Sequence, residues 1–219
     1  MGLENITLTN TYVPVYDLKT NEMTLEAAKT QLADFITNLN SKTGDDFKTW
    51  ICGKMDIELF LKTYAVNVMC GMWDDYWNNK NNYYCYFDSA GKFYFIPYDY
   101  DNTLGTSLLM TNSGARDVLN WGSTSQPLVK KIIAIPEYKA LYIQYIKDLY
   151  DSNNDLFHVD KSTPRIINWQ SKIAGYVDND TNEVTEILDK PASWGNCGFY
   201  RLQDSNNNYF KIRATNIPN

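Results

Sequence analysis

Asp74 and Asp75 lie in a stretch, Trp73 to Asn82, that also carries Asn78, Asn79, Asn81 and Asn82; Asp99 and Asp101 follow further along the chain. Carboxylates and carboxamides are hard oxygen donors, and together they suit the transfer of a highly charged group. A hydroxyl nucleophile needs one carboxylate to orient it and accept its proton. A triphosphate needs a divalent cation clamped by a second carboxylate and an amide oxygen, so that charge on the moving group is offset. Mg²⁺ takes oxygen ligands and keeps several waters, so one or two carboxylates and an Asn suffice. The same residue types also have an ordinary use in turns and caps, and the run from Asn78 to Asn82 could be a solvated turn. His158 is the only histidine, so a Ser-His or Cys-His nucleophile would hang on one residue in a polar stretch. Cys52, Cys70, Cys85 and Cys197 form no C-x-x-C pair and have no zinc spacing. They are expected to be free buried thiols, or to form a disulfide if the protein is exported.

The elements that must position these side chains can be read from periodicity. Thr11–Leu18 reads as a strand, with Pro14 marking an edge or a bulge. From Leu25 to Leu39 apolar residues recur at helical spacing behind Thr24 as N-cap, and a short helix around Phe47, Trp50 and Ile51 closes near Gly53. Asp56 caps a helix with a broad apolar stripe from Ile57 to Met72, which should be central and buried. It runs into the Asp- and Asn-bearing loop. Two β-rich runs, Tyr83–Phe87 and Phe93–Tyr98, joined by a Gly-bearing connection, predict a hairpin that delivers Asp99 at its end. Residues 106–126 read as a functional loop, in which Arg116 is expected to be exposed. Helices are predicted around Leu128–Ile133, from Pro136 to Leu149, from Thr163 to Val177 and from Glu183 to Leu188, and a short strand over Tyr209–Arg213. The order of parts is informative: a buried helix, an Asp-bearing loop ending in Asn, a hairpin, then Asp. Protein kinases order their catalytic loop and metal-binding Asp in this way.

At these residues the chain resembles the CotH (spore-coat H) kinase family. The resemblance is carried by Tyr64–Val68, Trp73-Asp74, the run Asn78–Tyr86, and Phe95-Ile96-Pro97-Tyr98-Asp99-Tyr100-Asp101-Asn102-Thr103-Leu104-Gly105. The later Gln126-Pro127-Leu128, Pro136-Glu137-Tyr138 and Tyr145 also look like the family's C-terminal helices. Tyr98 stands where the family has Trp. The resemblance implies an atypical, secreted or surface-associated kinase, with a spore-coat setting and dependence on Mg²⁺ and ATP. Carried over by position, Asp74 would be the catalytic aspartate and Asp99 a Mg²⁺ ligand. Asn82 would be the second metal ligand, with Asn79, five positions after Asp74, as its rival in binding the cofactor, and Asp101 a helper. The phosphate acceptor would be a Ser, Thr or Tyr hydroxyl of a protein. No Gly-rich loop or strand-borne Lys precedes Tyr12, so the chain is expected to be the large lobe of a longer protein and to bind ATP weakly alone.

The fold class expected is α+β: a mostly helical, kinase-like C-terminal lobe with a small β-hairpin carrying the active-site loop. Residues 1–23 would be an extended linker segment, 24–193 the catalytic lobe and 194–219 an extension with a short strand. Of 219 residues, 44% are hydrophobic and 21% charged, as in a folded domain. The net charge of −6 argues against nucleic acid as a partner, since phosphate backbones need a basic face. No stretch has the length of a membrane span, and the opening Met1-Gly2-Leu3-Glu4 lacks the form of a signal peptide. Aromatic residues make up 15% of the chain. That richness keeps a non-catalytic alternative open: a carbohydrate- or protein-binding module, or a pseudokinase scaffold docking through the Trp73–Trp77 surface.

Overall fold

The computed structural model describes residues 3, 16–20, 23–105, 112–122, 126–177, 202 and 208–218. Their architecture is α+β, mostly helical, with one two-stranded antiparallel sheet. Helix α1 (Leu25–Ser41) starts where Thr24 Oγ1 accepts the Ala27 N–H, and it buries Phe35, Ile36 and Leu39. Helix α2 (Gly44–Lys54) buries Phe47 and Ile51 against the same core. Helix α3 (Ile57–Cys70) is capped by Asp56, whose Oδ1 accepts from Leu59 N at 3.0 Å.

Helix α3 is the axis of the molecule. Leu61, Tyr64, Ala65, Val68 and Met69 are fully enclosed, and the helix lies along α6 (Pro136–Tyr150), from which Tyr142 and Ile146 meet it in the core. It stops at Gly71, which takes φ +69°, a conformation that glycine adopts without steric cost. A Cβ there would stand 2.5 Å from Tyr209 Oη, so the helix end is also gripped from outside.

Strands β1 (Tyr83–Phe87) and β2 (Phe93–Pro97) pair with Tyr83 opposite Pro97 and Phe87 opposite Phe93. Asp88 Oδ1 accepts from Ala90 N and Lys92 N, and Gly91 at φ +75° closes the turn. Alternation sends Tyr83, Cys85, Phe87, Phe93 and Phe95 toward the core, where Phe93 stacks on Phe35 at 4.3 Å. Tyr84, Tyr86, Ile96 and the following Tyr98 face solvent.

Helix α5 (Pro127–Ile133) adds Leu128 and Ile132 to the core. Helix α7 (Val159–Val177) begins earlier than its periodicity predicts and accommodates Pro164 in its second turn.

One expected element takes another form. Tyr209–Arg213 is not a strand: Tyr209–Ala214 forms helix α8. Asn208 caps it, accepting from Phe210 N at 2.9 Å, and the turn places Tyr209, Phe210 and Arg213 together in the interior. A strand would have sent Phe210 to the face opposite Tyr209 and Arg213. Most of the predicted Thr11–Leu18 strand, the Glu183–Leu188 helix, Cys197 and the boundary at 193/194 lie outside the described residues, and Tyr16–Leu18 carry no strand.

Candidate functional site

The apolar drive that buries α3 fixes the start of the next segment. Gly71 and Met72 are buried, so Trp73 and Asp74 emerge at a set point on the surface of the core. The segment then turns rather than looping freely. Asp75 Oδ1 accepts from Asn78 N at 2.8 Å and nucleates a single helical turn, α4 (Tyr76–Asn79), whose Tyr76 and Trp77 are buried. The Asp75 backbone carbonyl also accepts from Asn79 N at 3.0 Å and from Asn81 N at 3.2 Å.

This turn wraps asparagine side chains around Asp74. Asn79 Nδ2 donates to its Oδ1 in a short contact. Asn81 Nδ2 donates to Oδ1 at 3.4 Å and Oδ2 at 3.3 Å. Asn82 Nδ2 donates to the Asp74 backbone carbonyl and to Oδ2, both at 3.0 Å. Each amide turns its NH₂ toward Asp74, so its own oxygen is left as an acceptor. Asp74 is half-buried: firmly oriented, yet open to a small nucleophile.

Asn82 links this cluster to the second carboxylate. Its carbonyl accepts from Tyr98 N at 3.1 Å, one rung beyond the Tyr83–Pro97 pair, so Asn82 lies across from the residue preceding Asp99. Both Asn82 (φ +52°) and Asp99 (φ +61°) adopt the left-handed conformation, which Asn and Asp tolerate better than most residues. Non-glycine residues in this region gather at functional sites because the surrounding fold has to hold them there. Asp99 is exposed and makes no side-chain hydrogen bond among the described residues. Asp101 accepts from Asn102 Nδ2 at 2.8 Å. Beyond it, Leu104 N donates to Cys70 O at 2.7 Å and returns the strand exit to the end of α3. The structure therefore joins Asp74, Asn79 and Asn82 by hydrogen bonds, and Asp99 directly follows Tyr98, whose N–H bonds Asn82. Asp101, two positions on, shares no hydrogen bond with them among the described residues.

Among the described residues no group of three or more His, Cys, Asp or Glu side chains gathers as a metal site, so a cation here would lean on amide oxygens as well as carboxylates. An open groove of about 540 Å³ lies at the other end of α3, lined in part by Met55, Asp56, Lys62, Lys92 and Tyr138. Asp74, Asn82 and Asp99 take no part in it.

Some participants are not evident from sequence reasoning. Asn81 belongs to the run of asparagines but was not distinguished within it. Asp75 is 1% exposed, and burial pushes its carboxyl up to about 7 against the opposing pull of the Asn78 N–H and the Arg116 charge. Its Oδ2 is enclosed; the Trp121 indole N–H faces it and favours its charge without closing a hydrogen bond of good geometry. An Asp followed three residues later by a polar residue is a cap signal that could have found it.

Arg116, expected to be exposed, is half-buried: its Nη1 donates to Asn78 Oδ1 at 2.9 Å and its guanidinium lies 4.8 Å from the Trp121 ring centre. Among the cysteines, Cys70 and Cys85 are free, and burial pushes both thiols up to about 12. Cys52, also free, departs from expectation in being exposed, 2.8 Å from Tyr138 Oη, because it sits on the outer face of α2.

No helix among the described residues is long and apolar enough to cross a membrane. Residues 5–211 match the family described as CotH kinase protein. Spore coat protein homolog 1 of Rhizopus delemar is 27% identical over 101 residues, a stretch that covers 42% of this chain and 16% of the relative. The chain thus spans well under two thirds of that relative's length. No solved structure matches.

Proposed function

The chain belongs to the CotH kinase protein family, and from that premise we propose that it is the phosphotransfer lobe of an Mg²⁺-dependent kinase. It would move the γ-phosphoryl group of ATP to a Ser, Thr or Tyr hydroxyl of a protein, with a nucleotide-binding lobe outside this chain completing the site. The observation that carries the reading is the linkage of Asp74 through Asn82 to the strand that ends at Asp99. Asp74 orients the acceptor hydroxyl and takes its proton. The amides around it hold that carboxylate still, so little reorganisation accompanies the reaction.

The residues present fit the implied cation. Asp99 has no competing side-chain partner among the described residues, and Asn82, with its NH₂ committed to Asp74, keeps an amide oxygen for a metal. Asp99, Asn82 and Asp101 would hold Mg²⁺, with Asn79 as the alternative amide. All are hard oxygen donors, and the ion when bound offsets charge on the transferring group. The name of the fungal relative makes a spore-coat setting, and with it a secreted or surface location, part of the proposal.

The test is transfer of radiolabelled phosphate by the full-length gene product. Asp74→Asn and Asp99→Asn are each expected to lower the rate by at least about 100-fold. Unchanged transfer in both variants removes these residues from the mechanism.

A second reading, a carbohydrate- or partner-binding face, loses the Trp73–Trp77 surface, since Tyr76 and Trp77 are buried, and rests instead on the exposed Tyr84, Tyr86, Ile96 and Tyr98 of the hairpin. Tyr84 and Tyr98 stack on each other at 4.7 Å, so each ring spends one face internally and offers a sugar only the other. Strong signals on a glycan array with no response to nucleotide would favour it nonetheless.

A further inference from the structure

Asp74 is flanked on both sides by groups that a distant segment holds in place. Asn78 donates from Nδ2 to the Trp73 carbonyl at 2.7 Å, and its backbone N–H donates to the Asp75 carboxylate at 2.8 Å. Its remaining side-chain acceptor, Oδ1, takes the Arg116 guanidinium at 2.9 Å. Asn78 therefore ties the residue before Asp74 to the residue after it, and Arg116 holds the amide in the orientation that does so. Arg116 is itself fixed by its contact with the Trp121 ring. Next to Trp121, a Cβ on Gly122 would stand 2.5 Å from the Trp77 carbonyl group, so backbone meets backbone where this segment crosses α4.

The segment is held from behind by α8. Arg213 is 1% exposed; its Nη1 donates to the Arg116 carbonyl and its Nη2 to the Ser113 carbonyl, each at 2.7 Å. Its guanidinium lies 5.2 Å from the Trp121 ring centre, on the ring that Arg116 also contacts.

We propose that Arg116 is a positioning residue for Asp74: by fixing Asn78 it sets the backbone on either side of that carboxylate, so the site is assembled only while the segment 112–122 is docked on α4 and α8. A guanidinium suits the task because one planar group donates to Asn78 and lies against Trp121 at once; an ammonium could replace the charge but not the combination. Only the activity arm of the test rests on the kinase reading.

The experiment uses the ¹⁵N-labelled chain with Arg116→Met and Arg116→Lys, observed through the side-chain NH₂ signals of Asn79, Asn81 and Asn82, which report the hydrogen bonds to Asp74. In Arg116→Met these signals are expected to shift or broaden together with those of Asn78, while amides of α1 and α5 stay in place. Arg116→Lys should restore part of the change. Signals of Asn79, Asn81 and Asn82 left at their native positions in both variants, with only Asn78 moved, would overturn the proposal. General loss of dispersion in both variants would overturn it too, by giving Arg116 a merely structural role. In the full-length gene product, Arg116→Met is expected to lower kcat about tenfold with KM for ATP unchanged, as befits a misplaced group that does not touch nucleotide. A native protein that transfers no phosphate sinks the kinase reading, and the amide signals still decide the positioning.

Discussion

Replacing Asp75 by Asn asks whether the acid beside Asp74 is held against its own charge. Burial pushes its carboxyl up to about 7, while the Asn78 N–H, the Arg116 charge and the Trp121 indole pull the other way. Tyr64 from α3, Tyr142 from α6 and Tyr100 after β2 face it with phenols that offer no positive charge. Because the folded value stands above the unfolded one near 3.8, the unfolded chain gives up this proton first as pH rises. The stabilisation from the protonated acid is complete below about pH 4 and is lost progressively up to about pH 7. At about 1.4 kcal/mol per pKa unit the whole effect is roughly 4 kcal/mol, of which about 3 kcal/mol falls between about pH 5 and pH 8. Asn caps a helix as well as Asp does and cannot ionise. Urea unfolding of both chains at the two pH values is the assay. The native chain should lose about 3 kcal/mol relative to Asp75→Asn between them, whatever constant offset the altered Trp121 contact introduces. Other titrating groups are common to both chains and cancel to first order. Parallel stability-against-pH lines would refute the claim that Asp75 is buried against its charge.

Lys131 Nζ donates to the carbonyls of Leu39 and Lys42, each at 2.6 Å, and to that of Asn40 at 3.3 Å, closing the end of α1. Lys131→Met keeps the stem and loses the donors, and is expected to cost about 2 kcal/mol, read as a fall in Tm of about 4–8 °C. An unmoved Tm would mean that water serves those carbonyls equally well. Gly122→Ala should destabilise by about 2 kcal/mol or more, because the contacted Trp77 atoms include backbone. Gly53→Ala, inside α2 with open space around its Cβ position, should stabilise by about 0.5–1 kcal/mol; thermal melts of the pair check both signs. Calorimetric titration of this chain with Mg²⁺-ATP is expected to show binding weaker than micromolar; micromolar affinity would show that no further lobe is needed to grip the phosphates.

Much of the scaffold was legible because its signals are local. Thr24 and Asp56 each stand one residue before an apolar stripe, and both accept the N–H that a cap should accept. The hairpin follows from two β-rich runs around Asp88–Lys92, whose side-chain turn closes it without help from elsewhere. Asp74, Asn79 and Asn82 are singled out by the resemblance, and their contact follows from lying five and eight positions apart in one turn. What was not legible depends on partners far away in sequence. Tyr-Phe-Lys-Ile-Arg alternates well enough for a strand; beside the local cap at Asn208, the fit of Tyr209 against Gly71 and of Arg213 against Trp121 favours a helix. Arg116 looks like any loop arginine until Asn78 and Trp121 are beside it. Asp75 differs from Asp74 in being buried as well as capping α4; the cap has a local signal, and the burial has none in a pair of identical residues.

Tyr209 Oη donates to the Met69 carbonyl at 2.7 Å across 140 positions of sequence, and Arg213 reaches the Arg116 carbonyl across 97. Contacts so far apart can form only late, after the entropy of closing long loops has been overcome. As the polypeptide leaves the ribosome, the central helices and the hairpin can collapse first, with the Asp74 turn still unbraced. The brace comes only when residues 209–213 have joined them. A chain without the residues from Asn208 onward would keep most of the described core and lack the clamp behind its carboxylate, a body with an unfinished site.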